Sequence, residues 1–287
     1  SMLVVSRGSN SNQFGVIDLQ GNTIIEAKYD NITYIPEIGD FLVTSNNKVG
    51  IISAKRETIL EIAYDSIELM DKDAGLYIVR RDNKYGVIDI RGNTRIYIEN
   101  DAIGIDISRF SENDIKNKYL LMDNLIPVQK DNKWGLYDVN GNQVVGFNYD
   151  SFGYIASNNR NAYNLLVIPS YNVLVACVDR KYTLINSSGE QLFVARADDI
   201  YMTIERNEKH YYISINDRSW DVEEYLNILG VQPVTSSSNS GNTSSNLSNS
   251  SNLSNTSNSS NMSTVDNANS GNIEGNLTDS GNGNALE

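Results

Sequence analysis

Between residues 2 and 216, short apolar runs alternate with turn-forming clusters at close intervals. Runs this short, bounded by Gly, Asn, Asp and Ser, are read as β-strands rather than helices. The runs fall into four types that recur in order. The first is represented by Tyr85–Asp89. The second is Thr23–Ala27 or Gln143–Phe147, and the third is Asn31–Ile35. The fourth and most apolar type is Phe41–Thr44, Leu76–Arg80, Leu125–Gln129, Val173–Val178 and Tyr211–Ile215. Met2–Arg7 matches the fourth type, so the chain begins part-way through a unit. After the last run, Asp217 is a candidate helix cap. Trp220, Val222, Tyr225, Leu226 and Leu229 approximate helical spacing, and Gly230 and Pro233 end it.

The first run of each unit carries a motif. It reads Phe14-Gly15-Val16-Ile17-Asp18, Val49-Gly50-Ile51-Ile52-Ser53, Tyr85-Gly86-Val87-Ile88-Asp89, Trp134-Gly135-Leu136-Tyr137-Asp138 and Tyr182-Thr183-Leu184-Ile185-Asn186. A turn glycine follows at Gly21, Gly92, Gly141 and Gly189, and Arg56 stands there in the second copy. Glycine accepts the left-handed backbone that a bulged hairpin turn needs, and the preceding Asp is placed to cap the turn. A Tyr-Asp pair comes next, at Tyr29-Asp30, Tyr64-Asp65 and Tyr149-Asp150. Asn100-Asp101 and Asp198-Asp199 hold the related places in the third and last copies. The motif spacing widens after Gly86, so the third and fourth copies carry insertions, at about 104–119 and 156–171.

These copies resemble WG repeats, a bacterial repeat whose consensus is roughly Gly-Lys-Trp-Gly-Phe-Ile-Asp followed by a Gly turn and a Tyr-Asp pair. Residues 132–150 match nearly throughout, and the resemblance covers about residues 2–216. It implies a general binding or spacer module, of a kind often joined to enzymes or to cell-wall-binding domains. The expected fold is all-β: an open superhelical array of five hairpin repeats at about 8–45, 46–80, 81–129, 130–178 and 179–216, with a cap helix at 217–230. The alternative is a five-bladed propeller closed by Met2–Arg7. The open array is favoured because six fourth-type strands accompany five sets of the others, and because a cap helix suits an open end. No repeat can bury its own apolar face, so the units must stack. The motif aromatics Phe14, Tyr85, Trp134 and Tyr182, and the Tyr of each Tyr-Asp pair, are expected to be stacking residues.

Composition divides the chain in two, a repeat domain at 2–233 and a tail at 234–287. From Thr235 it is Ser, Asn, Gly and Thr with scattered Leu and no aromatic, Lys or Arg, which reads as a disordered spacer. The formal net charge is −13, and most of it belongs to the repeat part. Such a field repels a phosphate backbone, so nucleic acid is not an expected partner. No apolar run is long enough to span a membrane as a helix. A Ser/Asn spacer suits an extracellular or cell-surface protein; a single cysteine suits the cytoplasm equally well.

Candidate chemistry is sparse. The one histidine, His210, lies in the last fourth-type strand, so a His-based catalytic or metal cluster is ruled out as a group. Cys177 sits among apolar neighbours and reads as core. No phosphate loop, nucleophile elbow or EF-hand loop occurs, so no cofactor and no metal are expected. Asp30, Asp65, Asp150 and Asp199 recur at related places and could serve a propeller-type glycosidase. A residue repeated in most copies is better explained by a structural need common to them. The expected function is therefore a non-catalytic module for protein or cell-wall polysaccharide interaction, with a structural spacer or assembly unit as the alternative. The insertions are where binding is expected, at Arg109, Phe110, Arg160, Tyr163 and Tyr171.

Overall fold

A computed structural model of the chain describes residues 2–8, 13–110, 115, 117–122, 124–157 and 161–234. The Ser/Asn-rich tail, Arg160 and the expected helix start at Ser111 lie outside the described residues.

The strands form six consecutive antiparallel meanders. The first sheet contains β1 (Met2–Ser6), β2 (Phe14–Asp18) and β3 (Thr23–Tyr29). The second contains β4 (Asn31–Ile35), β5 (Asp40–Ser45), β6 (Lys48–Ile52) and β7 (Thr58–Tyr64). The third contains β8 (Ser66–Asp71), β9 (Leu76–Arg81), β10 (Lys84–Asp89) and β11 (Thr94–Asn100). The fourth contains β12 (Ala102–Ile103), β13 (Leu125–Lys130), β14 (Lys133–Asp138) and β15 (Gln143–Tyr149). In the fifth, β16 (Ser151–Phe152) and β17 (Val167–Ile168) pair side by side with β18 (Val173–Val178), which pairs with β19 (Lys181–Asn186). The sixth contains β20 (Asp199–Glu205), β21 (Glu208–Ile215) and β22 (Arg218–Asp221), and helix α1 (Val222–Ile228) follows it.

Sheet boundaries fall at the Tyr-Asp pairs, not at the motif. The four middle sheets each join the last two strands of one sequence repeat to the first two of the next, half a unit out of phase with the expected boundaries. The motif strand therefore lies inside a sheet. Its glycine explains why. A Cβ on Gly15, Gly50, Gly86 or Gly135 would lie 2.6, 2.6, 2.7 or 2.7 Å from the carbonyl oxygen of Ile25, Leu60, Ile96 or Val145. The next strand bulges across the motif strand at that point, and only glycine leaves it room. Across the bulge the motif position meets the Tyr of the Tyr-Asp pair: Phe14 with Tyr29, Val49 with Tyr64, Trp134 with Tyr149. In the fifth sheet Thr183 replaces the glycine and donates its hydroxyl to the Phe193 carbonyl. There the strand after β19 is reduced to isolated bridges.

The two central strands of each middle sheet are joined by a two-residue turn: Asn46-Asn47, Asp82-Asn83, Asp131-Asn132 and Asp179-Arg180. Asn216-Asp217 joins β21 to β22 in the same way. All have positive φ at both positions, the type I′ geometry that matches strand twist. The last of these turns corrects the expected helix start. Asp217 has φ 61°, and Arg218–Asp221 continues as a strand, so α1 begins at Val222. Asp221 is the cap, its carboxylate accepting the Glu223 N–H at 2.7 Å.

Five apolar cores lie between successive sheets. Each is built from the facing residues of two neighbours, from Val16, Phe41 and Val43 at one end to Ile200, Ile213, Val222 and Leu226 at the other. The motif aromatics are half-buried against these cores. Among the described residues no core joins the first sheet to the sixth, and β1 pairs only with β2. The array is open, with α1 packed on its last core.

The backbone argument gives opposite signs at two positions. Gly86→Ala should lower the urea midpoint by the equivalent of about 1–3 kcal/mol, because the methyl group must displace backbone. Arg56, with φ 72°, holds a left-handed turn position without being glycine. Arg56→Gly should raise stability by about 1 kcal/mol. Equal midpoints for Gly86→Ala and the parent would show that the bulge is not a tight approach.

Candidate functional site

The recurring aspartates lie along one edge of the array. Asp30, Asp65, Asp101, Asp150 and Asp198 each accept the first N–H of the next type I′ turn, from Asn46, Asp82, Asp131, Asp179 and Asn216, at 2.7–2.9 Å. The last four also receive the ammonium of the lysine that opens the preceding motif strand: Lys48 to Asp65, Lys84 to Asp101, Lys133 to Asp150, Lys181 to Asp198. Each of these four aspartates thus ties the motif strand of one sheet to the turn of the next. This corrects the assignment of Asp199: the equivalent residue is Asp198, and Asp199 opens β20. A lysine hydrogen bond holds each of these four carboxyls below the ordinary aspartate range. They are committed to ion pairs and turns, which is a structural task. Exposed pairs of this kind stabilise little by themselves, so their role is register.

The insertions lie at the opposite edge, where the first two strands of a sheet are joined. The insertion of the fourth sheet runs from Gly104 to Asn124, and that of the fifth separates β16 from β17. They touch. Asn164 Nδ2 donates to the Arg109 carbonyl at 2.5 Å, and the Phe110 ring lies against Gly153 and Leu166. The four expected binding residues that are described are not brought together. Phe110 (4% exposed) and Tyr171 (5%) are core side chains of two different cores, because the insertions fold back over the sheets. Arg109 is exposed on a short 3-10 turn, Ile107–Phe110. Tyr163 is half-exposed and lines a small cleft of about 380 Å³ with Asn161, Thr203 and Glu205.

A larger cleft, of about 790 Å³, opens beside the fourth-sheet insertion. Its apolar lining includes Ile115, Leu120, Leu121, Met122, Val139 and Val167. Asp71, Asp73, Asn117 and Asn172 supply polar groups, and Val234 and Pro169 close one wall. The insertion is pinned to the third sheet. Asn117 Nδ2 donates to the Met70 carbonyl, Asn117 Oδ1 accepts the Tyr119 N–H, and the Tyr119 hydroxyl donates to Glu68. Leu120 then enters the core between the third and fourth sheets, while Leu121 and Met122 join the core between the fourth and fifth. A backbone bridge from Leu121 to Leu125 closes a tight turn that holds Met122 at φ 50°. Asp71 turns its carboxylate onto the N–H groups of Asp73 and Ala74, at 2.9 and 2.7 Å, and fixes the acidic lip. Val234 is held by its N–H to the Ser170 carbonyl at 2.9 Å.

Leu120, Leu121 and Met122 were not among the expected binding residues. Their signal is an apolar run in a stretch assigned to no strand, just past the insertion's expected end. Among the described residues no group of three or more His, Cys, Asp or Glu is placed to hold a metal ion.

The fold defines a class: an all-β array of repeated antiparallel sheets, with no closed barrel among the described residues and a helix at its C-terminal end. A family model described as WG containing repeat matches residues 14–48, 50–85 and 134–160, so the chain carries WG repeats over those three stretches. No curated protein matches it. Similar solved structures include a crystal structure of the eukaryotic initiation factor. It is 12% identical with a TM-score of 0.33, covering 77% of this chain and 58% of that one. Another is dihydro-heme d1 dehydrogenase NirN in complex with DHE, 11% identical with a TM-score of 0.29, covering 82% of this chain and 52% of that one. The chain thus spans somewhat over half the length of these structures. No described helix is long and apolar enough to cross a membrane.

The edge ladder makes a pH-dependence prediction. A carboxyl with a depressed folded pKa stabilises the fold above its unfolded value, near pH 4, and that contribution is lost as pH falls through the folded value. The urea midpoint should therefore fall on acidification below about pH 4. Asp65→Asn and Asp150→Asn should flatten that fall. Profiles for both variants that parallel the parent would refute the assignment.

Proposed function

We propose that this chain is a non-catalytic binding module that takes an apolar segment of a partner protein into the cleft beside the fourth-sheet insertion. The observation that carries this reading is the cleft itself. An insertion that breaks the repeat builds it, from Leu120, Leu121 and Met122, with an acidic lip at Asp71 and Asp73. An apolar lining with a few fixed polar groups is the ordinary composition of a ligand site. Among the described residues the lining holds no His, Cys, Ser or Lys. Among the described residues it also holds no aromatic ring on which a sugar could stack, which favours a peptide over the cell-wall polysaccharide. The acidic lip favours basic residues flanking the apolar segment. The Ser/Asn-rich composition of 235–287 supports a module presented outside a cell or on its surface.

The test is a selection of displayed random peptides on the full chain. Enriched peptides should carry two or three apolar residues beside Lys or Arg. Ala74→Trp and Pro169→Glu, both at exposed positions on the walls, should weaken them about tenfold or more. Peptides that bind the parent and both variants equally would move the site elsewhere. Retention on insoluble peptidoglycan, lost in the same two variants, would replace the peptide with a polysaccharide.

A further inference from the structure

The smaller cleft differs in chemistry from the one proposed to take a peptide. It lies where the insertion of the fifth sheet meets β20, and Asn161, Ala162, Tyr163, Thr203, Ile204 and Glu205 line it. Its volume, about 380 Å³, is within the range of small-ligand sites. The wall that carries Tyr163 is fixed in place. Tyr163 donates its N–H to the Met202 carbonyl at 2.8 Å. Asn164, next to it, accepts the Ala156 N–H at 2.8 Å and donates to the Arg109 carbonyl at 2.5 Å. Little ordering of this wall is left for a ligand to impose.

Two features of the cleft cost stability. The Thr203 hydroxyl is buried and has no hydrogen-bond partner among the described residues. A buried hydroxyl left unpaired destabilises a fold, and in a folded chain it calls for an explanation. Glu205 lies opposite Glu208 across the β20–β21 hairpin, which sets two like charges at facing positions. A third feature is the Tyr163 ring, which is 39% exposed. The insertion aromatics Phe110 and Tyr171, by contrast, are buried in cores.

We propose that this cleft binds a neutral sugar unit of an oligosaccharide or polysaccharide, with the Tyr163 ring against the apolar C–H face of the sugar. The polar groups of the lining decide the class. The Asn161 amide and the Thr203 and Tyr163 hydroxyls both donate and accept, while the Glu205 carboxylate accepts. A sugar presents hydroxyls that also do both, so it matches the whole set. A cation offers donors only and leaves the amide and hydroxyl donors unmatched. An anion offers acceptors only and meets Glu205, in a chain of net charge −13. A tyrosine ring provides an apolar face with a polar handle, which suits a ligand of the same mixed character. A sugar hydroxyl at this wall gives Thr203 the partner it lacks.

Isothermal titration calorimetry of the full chain with the tetrasaccharides of cellulose, chitin and starch tests this. One of the three should bind, with a Kd on the order of 10 μM to 1 mM. Tyr163→Ala, with unchanged circular dichroism, should weaken it about tenfold or more. Thr203→Val keeps the shape of the side chain and removes the hydroxyl. It should weaken binding about fivefold and raise the urea midpoint, a combination that a merely structural threonine would not give. Ala74→Trp and Pro169→Glu, in the larger cleft, should leave the sugar affinity unchanged, so this proposal and the peptide reading fail separately. A chain that binds none of the three overturns the proposal. So does a sugar whose affinity neither Tyr163→Ala nor Thr203→Val changes.

Discussion

The architecture depends on one close approach between backbones. Where the second strand of each motif hairpin bulges across the motif glycine, a methyl group would meet a carbonyl oxygen well inside contact distance. The bulge sharpens the local twist, and the register shifts by two residues across the glycine. That shift sets the Tyr of the Tyr-Asp pair opposite the motif aromatic and leaves the Asp just past the strand end, at the start of the next sheet. The Asp then caps the next sheet's central turn and receives the previous sheet's lysine. Each unit so places the one after it. The fifth sheet shows the converse: with Thr183 at the glycine position, the following strand loses its regular pairing.

This chain of dependencies decides where a site can arise. The edge bearing the Asp, the Lys and the type I′ turns has little freedom, because an inserted residue would break the link between units. The opposite edge carries the connections between the first and second strands of each sheet and the turns between the third and fourth. There the β4–β5 turn is short, the fourth sheet accepts a long insertion, and the fifth accepts one that splits its first strand into β16 and β17. Loop growth on that edge leaves the ladder untouched, and the two clefts described above are lined by residues from it.

Much of this was legible in the sequence. Strand type, the motif glycines, the Asp-x-x-Gly turns and the open, capped array follow from patterns of period two punctuated by Gly and Asp. The sheet boundary was not legible, because a repeat has no intrinsic beginning; only hydrogen bonding shows that Asp30, Asp65 and Asp150 open sheets. The pairs Asn46-Asn47, Asp82-Asn83 and Asp131-Asn132 were a turn signal left unused, and Asn216-Asp217, read the same way, would have moved the helix start to Asp221. Phe110 and Tyr171 looked like binding residues because they stand in insertions. An insertion that packs must bury its own aromatics, and both lie in cores. The cleft required knowledge of which insertion faces which turn, which no local pattern carries.

The insertion that forms the cleft also changes the energetics of the array. Elsewhere each core is shared by two sheets only, so stability is a sum of nearest-neighbour terms. Leu120 lies in the core between the third and fourth sheets, and Leu121 and Met122, immediately after it, lie in the next one. A single short segment therefore bridges two interfaces. Under the proposed reading, a ligand seated against it would by linkage stabilise all three sheets together. The middle of the array, and not its ends, is then the cooperative unit to which the proposed site would belong.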